Sequence, residues 1–583
     1  MCCGAAGMAR FDVADSGIAL ESADLWSKCA DSLKDAIAQG VTGNNRLIAV
    51  NHLSHAWWQL GKHEKAMGAV WEGLRADPNF CDLQVRRLQL QMSVCNYTEW
   101  QRGAEAVHLL LQRQVEGGKA PTVNPFVQLV LDIGSPSDRL TLSRHFCDEK
   151  RRAAVIAQGG AARPASESVH INPLRGRRLR VGLLSADFRS HPMGHIMSDV
   201  LAILRSNASA PVQGLERPWH DIAIVAISMT DDMDTIAAKV EAASDEFVRI
   251  GGKSDLEAAK TIRQLRLDVL VDLNGHTRGN RLKLLALQLA PVQVHYQGFP
   301  ATMGAAFVPW FITDPVVAPP DLRALYSEYM VYLPGCYHAY AASLNPFPGS
   351  LSASPAHHNR SEPPIFDAQV NTDRIQPHMW AAWLRILKSS GGSIRLRQGA
   401  NTAGEHALLV RTLSDSARAA GVDASRLHFL LKVETKRQHF QRLGESDLFL
   451  DTDAYSAHST GLEALWAGLP LLTFPSEAFA SRPPSSFLRA LQMGELIARG
   501  PQEYEAIARR LTRRRSVLQR WRAKLWQQRH DTAPTALFNE HSLILHLHVR
   551  VDPAIGRHVC RCPCSTPSFE RSRYVPGAVV WKV

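Results

Sequence analysis

The sequence of 583 residues predicts an α/β protein in which two Rossmann-like lobes follow an α-helical region. Residues 176–350 and 364–545 both alternate strand-like apolar runs with helical stretches, and this alternation favours parallel sheets. Residues 1–120 instead carry a helical repeat pattern. We therefore expect two open sheets with a cleft between them, joined to the helices by a connector at residues 121–175.

The helical region is predicted from one repeat-like segment, residues 51–82. Its Trp58 and Gly61 lie where the paired helices of a tetratricopeptide repeat place them. One such repeat cannot bury its own apolar faces. The helical stretches Leu25–Ala38 and Leu88–Gln114 are therefore expected to pack against it, as a degenerate repeat and a cap.

Strands and helices within the lobes follow from short apolar runs and longer amphipathic stretches. The first lobe is expected to contain strands at Arg180–Leu184, Ile222–Ile227, Val269–Leu273 and Val292–Tyr296, and helices at Met233–Ala243 and Asp255–Leu265. The second lobe is expected to contain strands at His428–Leu431, Leu448–Leu450 and Pro470–Phe474. Gly159–Ser168 and Leu351–Pro364 indicate exposed linkers. Residues 546–583 have no assigned structure.

The composition is typical of a globular protein, with 45% hydrophobic residues and a net charge of +11. There is no run of 18 or more apolar residues and no signal-peptide pattern, so we expect neither a membrane span nor secretion. The ten cysteines are mostly scattered, which fits reduced thiols in the cytoplasm or nucleus. Cys560, Cys562 and Cys564 lack the usual spacing of a zinc site, and no metal site is expected.

Basic residues concentrate in the segment Arg509–Arg529. Leu511, Leu518 and Leu525 recur there at near-helical spacing, so the segment is predicted to be an amphipathic helix with a solvated basic face. Binding of nucleic acid or acidic lipid is the alternative, but no base-reading module accompanies the segment. We therefore expect no nucleic-acid partner and no membrane partner.

The segment Asp447–Gly468 gives the clearest indication of function. It combines a buried strand, a polar turn and a helix that begins near His458, Ser459 and Thr460. The first N–H groups of a helix lack intrahelical partners and the helix dipole is positive there, so this turn is suited to a phosphate. The alternative is a capping box between Thr460 and Glu463 that only starts the helix.

Several motifs together resemble one family. HSTGLEALWAGLPLLTFP (His458–Pro475) resembles the nucleotide-binding segment of O-linked N-acetylglucosamine transferases, which join tetratricopeptide repeats to a two-lobed GT-B core. The family's order is kept by LRVGLLSADFRSHPMGH (Leu179–His195), VLVDLNGHTRG (Val269–Gly279), APVQVHYQGFPATMGA (Ala290–Ala305) and ETKRQHFQRLGESDLFLDT (Glu434–Thr452). The resemblance spans roughly residues 50–540 and implies the GT-B fold.

The resemblance also implies which second-lobe residues bind the nucleotide sugar. They are Lys436, His439, His458, Ser459, Thr460 and Glu463, the last standing where the family has an aspartate near the ribose. Lys436 and His439 lie one helical turn apart and so share a face, although a merely solvated helix face is the alternative. Gly298 and Pro300 resemble the loop that approaches the sugar, where glycine permits close backbone contact.

His191 lies in a His-Pro turn after the first strand and is the expected active-site histidine near the acceptor hydroxyl. A neutral imidazole there could accept the hydroxyl proton. The alternative is a loop histidine that only supports the turn. Asp187, Asp272 and His276 lie near neighbouring strand ends and are candidates to share or orient the proton.

One departure from the family concerns the start of the second lobe. The family carries a lysine just before an Ile-x-Pro triplet, and this lysine is expected to stabilise the departing diphosphate. Here VNTDRIQP (Val370–Pro377) places Arg374 at that position and Asn371 where a glutamine is usual. Arginine keeps the charge but not the shape, so the exchange is not conservative at a phosphate. Arg374 and Lys436 are the expected catalytic cations.

The resemblance implies an inverting transferase that moves N-acetylglucosamine from UDP to serine or threonine hydroxyls of intracellular proteins, with the helical region holding the acceptor. A related O-fucosyltransferase that uses GDP-fucose and a catalytically weak scaffold are the alternatives. No cofactor or metal is expected, because the triplet Asp451–Asp453 stands where the family uses no metal. The sequence makes no prediction of oligomeric state.

Overall fold

A computed structural model describes residues 19–159, 177–206, 222–333, 335–338, 362–398, 402–431, 433, 435–529 and 537. The predicted linkers Gly159–Ser168 and Leu351–Pro364 fall almost entirely outside these residues. The segment 546–583, with its three cysteines, falls wholly outside them.

The described chain begins with helices that pack in sequence. They are α1 (Ala19–Ala38), α2 (Gly43–Gln59), α3 (His63–Ala76), α4 (Cys81–Ser93) and α5 (Trp100–Glu116). The predicted repeat corresponds to α2 and α3, which bury Val50 and Val70 against each other and are flanked by α1 and α4. Gly61 forms the turn between them with φ of +68°, a conformation that glycine adopts without strain.

Two further helices connect this region to the first lobe, α6 (Pro125–Val130) and α7 (Pro136–Ala157). A reciprocal capping box between Ser135 and Asp138 fixes the start of α7, because it satisfies two N–H groups that would otherwise lack partners. Further along α7, the Cys147 thiol contacts the Met303 carbonyl oxygen at 3.3 Å. The connector thus packs directly on the loop that carries Gly298.

The first lobe contains a seven-stranded, fully parallel sheet in the order β3-β2-β1-β4-β5-β6-β7. The strands are β1 (Leu179–Ser185), β2 (Ile222–Ser228), β3 (Glu246–Arg249), β4 (Val269–Asp272), β5 (Val292–Tyr296), β6 (Trp310–Thr313) and β7 (Tyr329–Tyr332). The helices are α8 (Pro192–Ser206), α9 (Thr235–Ala243), α10 (Asp255–Gln264) and α11 (Leu282–Leu285). The four predicted strands are confirmed.

The second lobe contains a five-stranded parallel sheet in the order β10-β9-β8-β11-β12. Its strands are β8 (Ile365–Ala368), β9 (Ser393–Arg397), β10 (Leu427–Leu430), β11 (Leu448–Leu450) and β12 (Leu471–Leu472). The helices are α12 (Pro377–Ser390), α13 (Ala403–Ala419), α14 (Lys436–Gly444), α15 (Ser459–Trp466), α16 (Pro483–Ala490), α17 (Pro501–Arg513) and α18 (Arg515–Arg529). The predicted arrangement of two Rossmann-like lobes is confirmed.

The basic segment Arg509–Arg529 differs from the prediction of one solvated amphipathic helix. Helix α17 ends at Arg513. The backbone of Arg514, with φ −115° and ψ +67°, is not helical and separates α17 from α18. Arg522 is buried rather than solvated, and its guanidinium donates to the carbonyl oxygens of Gly444 and Ser446. One cation of this segment therefore has a structural role at the end of α14.

The two lobes meet through a buried polar contact and an aromatic one. The Ser486 hydroxyl donates to Asp314 Oδ2 at 2.7 Å, and the rings of Phe311 and Phe479 stack with centroids 5.1 Å apart. Because each pair joins one residue from each lobe, these contacts fix how the two sheets face each other.

The helical region lies against the second lobe. The Trp58 indole donates to Glu405 Oε1 at 2.9 Å, and the Tyr97 hydroxyl donates to the Ile375 carbonyl oxygen at 2.9 Å. Ile375 directly follows Arg374, so the helices brace the turn on which that arginine sits. Among the described helices, none combines the length and the apolar character that crossing a membrane requires.

Candidate active site

Most of the predicted site residues lie at the carboxyl ends of parallel strands. In the second lobe, Arg374 follows β8 and His458 follows β11; in the first lobe, His191 follows β1. In open α/β sheets, ligands bind in the crevice outside the carboxyl ends of the strands. The fold therefore brings residues that are distant in sequence into one cleft.

The strand, turn and helix start predicted for Asp447–Gly468 are present. Helix α15 starts at Ser459 with His458 as its N-cap residue, and the His458 side chain makes no capping hydrogen bond to its first N–H groups. Thr460 and Glu463 do not form the capping box that was the alternative, because the Glu463 carboxylate instead faces His439. The start of the helix thus keeps its free N–H groups, which suit an anion.

His458 is neutral in this arrangement. Its Nε2 lies 2.9 Å from the Ala480 carbonyl oxygen and must therefore carry a hydrogen, while burial lowers the pKa of His458 to about 3. In this tautomer Nδ1 holds a lone pair and cannot donate to a phosphate. Donation to an anion at this turn consequently falls to Ser459 and Thr460, through their amides and hydroxyls.

An aromatic platform links two of the predicted residues. The Arg374 guanidinium lies 3.8 Å from the centre of the Tyr455 ring, and that ring stacks on the His458 imidazole at 4.9 Å with an interplanar angle of 23°. Tyr455 also meets Phe126 of the connector edge to face. Tyr455 was not among the predicted site residues, although an aromatic residue within a polar turn close to His458 is visible in the sequence.

Lys436 and His439 share one face of α14, as predicted, and both approach Glu463. His439 Nε2 lies 3.2 Å from Glu463 Oε2. Burial lowers the pKa of Lys436, and the charge of Glu463 opposes this shift. The charge of Lys436 also helps to lower the pKa of His195, to about 4, although burial is the larger cause. Since His195 lies one helical turn after His191, α14 faces the His-Pro turn across the cleft.

His191 precedes α8, and its imidazole faces the start of that helix. The Met193 N–H donates to His191 Nδ1 at 3.3 Å, which places the hydrogen of the neutral ring on Nε2. Burial lowers the pKa of His191, while Asp187, whose Oδ2 lies 3.7 Å from Nδ1, opposes the shift. His191 is thus neutral, with Nε2 as a donor in this tautomer.

The predicted proton relay is only partly assembled. Asp187 is beside His191, and its Oδ2 accepts a hydrogen bond from the side-chain amide of Asn274 at 3.2 Å. The Asp272 carboxylate instead accepts hydrogen bonds from the backbone N–H groups of Asn274 and Gly275. Its Oδ2 also lies 3.6 Å from Nδ1 of the buried His295. Asp272 therefore shapes the loop after β4, and Asn274 joins that loop to Asp187.

His276 lies apart from His191. It is fully buried, its Nε2 is 2.8 Å from the Met303 carbonyl oxygen, and burial lowers its pKa to about 4. The rings of Phe146 and Phe299 meet it edge to face. The structure thus places His276 between the first lobe and α7 and does not bring it to the His-Pro turn.

Gly298 and Pro300 lie in the loop after β5. Gly298 has φ of +21°, and a Cβ at this position would lie 2.1 Å from the Leu273 carbonyl oxygen, so no larger residue fits. Pro300 is buried. His295 Nε2 lies 2.8 Å from the Phe299 carbonyl oxygen and holds the loop on the sheet. These contacts therefore fix the conformation of the loop beside the turn after β4.

The family model of glycosyl transferase family 41 matches residues 94–342 and 365–547, which include both lobes and every site residue described above. The chain belongs to that family. The match also confirms the family resemblance that was inferred from the sequence motifs.

Curated relatives carry related names. A probable UDP-N-acetylglucosamine–peptide N-acetylglucosaminyltransferase SEC of Arabidopsis thaliana is 29% identical over 434 residues, which cover 73% of this chain and 42% of the relative. The Caenorhabditis elegans UDP-N-acetylglucosamine–peptide N-acetylglucosaminyltransferase is 23% identical over 549 residues, covering 75% and 46%. A SPINDLY protein of A. thaliana is 28% identical over 330 residues, covering 56% and 34%. The chain spans less than half the length of each.

Among solved structures, a mutant O-GlcNAc transferase of Thermobaculum terrenum matches with a TM-score of 0.71 at 23% identity. The match covers 93% of this chain and 95% of that one. It confirms the predicted fold, two GT-B lobes preceded by helices.

Both carboxylates of the triplet Asp451–Asp453 form hydrogen bonds to other residues of the protein. Asp451 is buried, accepts from the Ala457 amide at 2.8 Å and from the Thr473 hydroxyl at 2.7 Å, and burial raises its pKa to about 7. Asp453 Oδ2 lies 2.7 Å from His378 Nε2. The two carboxylates therefore point to different partners, and Asp451 shapes the turn that leads to His458.

Proposed function

We propose that this chain transfers N-acetylglucosamine from UDP-N-acetylglucosamine to serine or threonine hydroxyls of proteins, with inversion at the anomeric carbon. The observation that carries the proposal is the convergence of Arg374, Lys436 and the uncapped start of α15 on one side of the cleft, facing His191 on the other. Membership of glycosyl transferase family 41 and the names of the relatives support the choice of donor.

The proposed reaction assigns one role to each lobe. The acceptor oxygen forms a bond to the anomeric carbon as the bond from that carbon to the β-phosphate oxygen breaks. The electron pair of the broken bond stays on the phosphate oxygen, and the hydroxyl proton passes to a base. Second-lobe cations and helix N–H groups stabilise the departing UDP, since fixed donors at developing charge lower the barrier.

His191 has two available roles in this reaction, set by its tautomer. With the hydrogen on Nε2, as in the structure, it donates a hydrogen bond to a substrate oxygen. For Nε2 to accept the hydroxyl proton, the ring hydrogen must lie on Nδ1 and face Asp187, which is 3.7 Å away. A small rotation of the imidazole closes this gap, and Asp187 would then stabilise the imidazolium that forms.

The proposal assigns leaving-group stabilisation to Arg374, Lys436 and the start of α15, and therefore requires no divalent metal. Two fixed cations supply charge that a metal ion supplies in other transferases. No cofactor besides the donor substrate is part of the proposal.

The proposal further assigns acceptor binding to helices α1–α5 and places the protein in the cytoplasm or nucleus. Within the described part of the chain, Cys81, Cys95, Cys147 and Cys336 form no disulfide, which suits a reducing compartment. Helices of this region contact Glu405 and Ile375 of the second lobe, so an acceptor held along them would be delivered beside the cleft.

A transfer assay with UDP-N-acetylglucosamine and GDP-fucose in parallel tests the proposal. We expect sugar transfer to a protein acceptor, and slow donor hydrolysis without one, only with the UDP sugar. Activity with GDP-fucose alone would replace the donor assignment, whereas nucleotide binding without turnover of either donor would establish a scaffold. A mock preparation that lacks this chain serves as the control for contaminating activity.

A further inference from the structure

Arg397 ends strand β9 at the carboxyl edge of the second sheet. Its neighbour in the sheet is β8, and the turn that follows β8 carries Arg374. Side chains at adjacent carboxyl ends share one edge, since neighbouring strands lie only about 5 Å apart. Two arginines that are 23 residues apart in sequence are thereby placed side by side at the cleft.

Asn371 positions Arg397. The Asn371 side-chain oxygen accepts a hydrogen bond from Arg397 Nη1 at 2.7 Å. A neutral amide holds the guanidinium without neutralising it, which a carboxylate in the same place would do. Arg397 is exposed to solvent, so the rest of its fork of donors is accessible to a ligand.

The charges around Arg397 are not balanced within the protein. Partial burial of the guanidinium lowers the pKa of Arg397 and the charge of Arg374 lowers it further, while the carboxylates of Asp373 and Glu463 oppose the shift. The adjacent carboxyl is Asp373, whose pKa is raised by burial and lowered by both arginines. Asp373 Oδ1 and Arg374 Nε are both buried without a protein partner in the described part of the chain. Two cations thus surround one carboxyl that burial drives towards its neutral form.

The same cluster reaches the predicted nucleotide residues. Glu463 acts on the pKa of both Arg397 and Lys436. Arg374 acts on the pKa of His458. Arg397 therefore belongs to the same electrostatic site as the uncapped start of α15, and that site holds an excess of positive charge.

We propose that Arg397 is a second diphosphate-binding residue and that Asn371 positions it. Arg397 and Arg374 together would replace the single lysine that the family carries before its Ile-x-Pro triplet. The inference rests on the proposed function, because it names further residues for the same donor. Two planar guanidinium forks offer several charge-assisted hydrogen bonds to the non-bridging phosphate oxygens. They also accept the negative charge that develops on the diphosphate as the sugar leaves.

Calorimetric titration with UDP and with uridine, which lacks the phosphates, tests the proposal in the full chain. Arg397→Ala is expected to weaken UDP binding on the order of tenfold and to leave uridine binding unchanged, since a charge-assisted contact is lost. Arg397→Lys should retain part of the UDP affinity. Arg411→Ala is the matched control, because Arg411 is an exposed arginine of α13 in the same lobe, and it should change neither affinity.

Asn371→Ala tests the positioning role. It should weaken UDP binding in the wild-type background and have no further effect when Arg397 is already alanine, as expected for residues acting as a unit. Thermal unfolding shows whether each variant is folded. Unchanged UDP affinity in a folded Arg397→Ala variant overturns this inference alone, whereas a wild type that binds neither UDP nor UDP-N-acetylglucosamine overturns the proposed function as well.

Discussion

Replacement of Tyr455 by leucine should disable the donor site while leaving the fold intact. Tyr455 is 6% exposed, and its ring lies between the Arg374 guanidinium and the His458 imidazole. Leucine fills much of the buried space but offers no π face. Arg374 would then lose the surface that orients it, and His458 would lose the partner on which its ring stacks.

The expected magnitude follows from the two contacts that disappear. A cation over an aromatic ring contributes about 0.5–2 kcal/mol, and an aromatic pair contributes about 0.5–1.5 kcal/mol beyond burial. Their loss amounts to about 1–3.5 kcal/mol. If it is felt in the transition state, kcat/KM falls about 5- to 400-fold. Tyr455→Phe keeps the ring and should remain near the wild-type rate.

Steady-state transfer kinetics on Tyr455→Leu and Tyr455→Phe provide the assay, with thermal unfolding as a check on folding. Combining Tyr455→Leu with Arg374→Ala should give less than the product of the two single effects, because the ring acts through the arginine. A folded Tyr455→Leu variant with wild-type kcat/KM would refute the role of the platform, and full additivity would refute its connection to Arg374.

The remaining predictions concern the same cleft. Lys436→Ala should weaken UDP binding more than His458→Ala, since Lys436 carries a charge and His458 is neutral; equal losses by calorimetry would contradict this. Arg374→Ala should slow transfer more than it weakens UDP binding, and identical rates for arginine, lysine and alanine would exclude an active-site role. Transfer should survive EDTA, and rescue by manganese after chelation would refute the metal-free proposal. If neutral His191 is the base, the acidic limb of the pH–rate profile should lie below pH 6.5, because burial lowers the pKa of His191. Asp187→Asn should move this limb to a still lower pH, because it removes the charge that opposes the shift. A limb that does not move would count against the pairing of His191 with Asp187.

Some strands that are buried on both faces were predictable from the sequence. Val292–Tyr296 and Leu448–Leu450 were predicted residue for residue, because buried parallel strands are continuous apolar runs. The predictions did not include β6 and β8, although both are largely buried, nor the edge strands β3 and β7. The residues of these edge strands are half-buried or exposed, so no apolar run distinguishes them from a loop.

The basic segment Arg509–Arg529 has features that its sequence did not predict. Its apolar spacing correctly indicated helix, but the break at Arg514 and the burial of Arg522 were not visible. A buried arginine needs acceptors for the hydrogen bonds of its guanidinium. Here those acceptors are the carbonyl oxygens of Gly444 and Ser446, and only the folded chain brings them there.

By itself, the sequence determined the two-lobed fold, a helix start near Ser459 and the set of candidate residues, since local apolar periodicity and motif order are properties of the chain. Tertiary structure decided which candidates meet. It set Tyr455 between Arg374 and His458, paired His439 with Glu463, and placed His276 away from the cleft. The physical reason is that a side chain's proton, charge and orientation are fixed by neighbours from other strands, and strand order is settled only when the sheet forms.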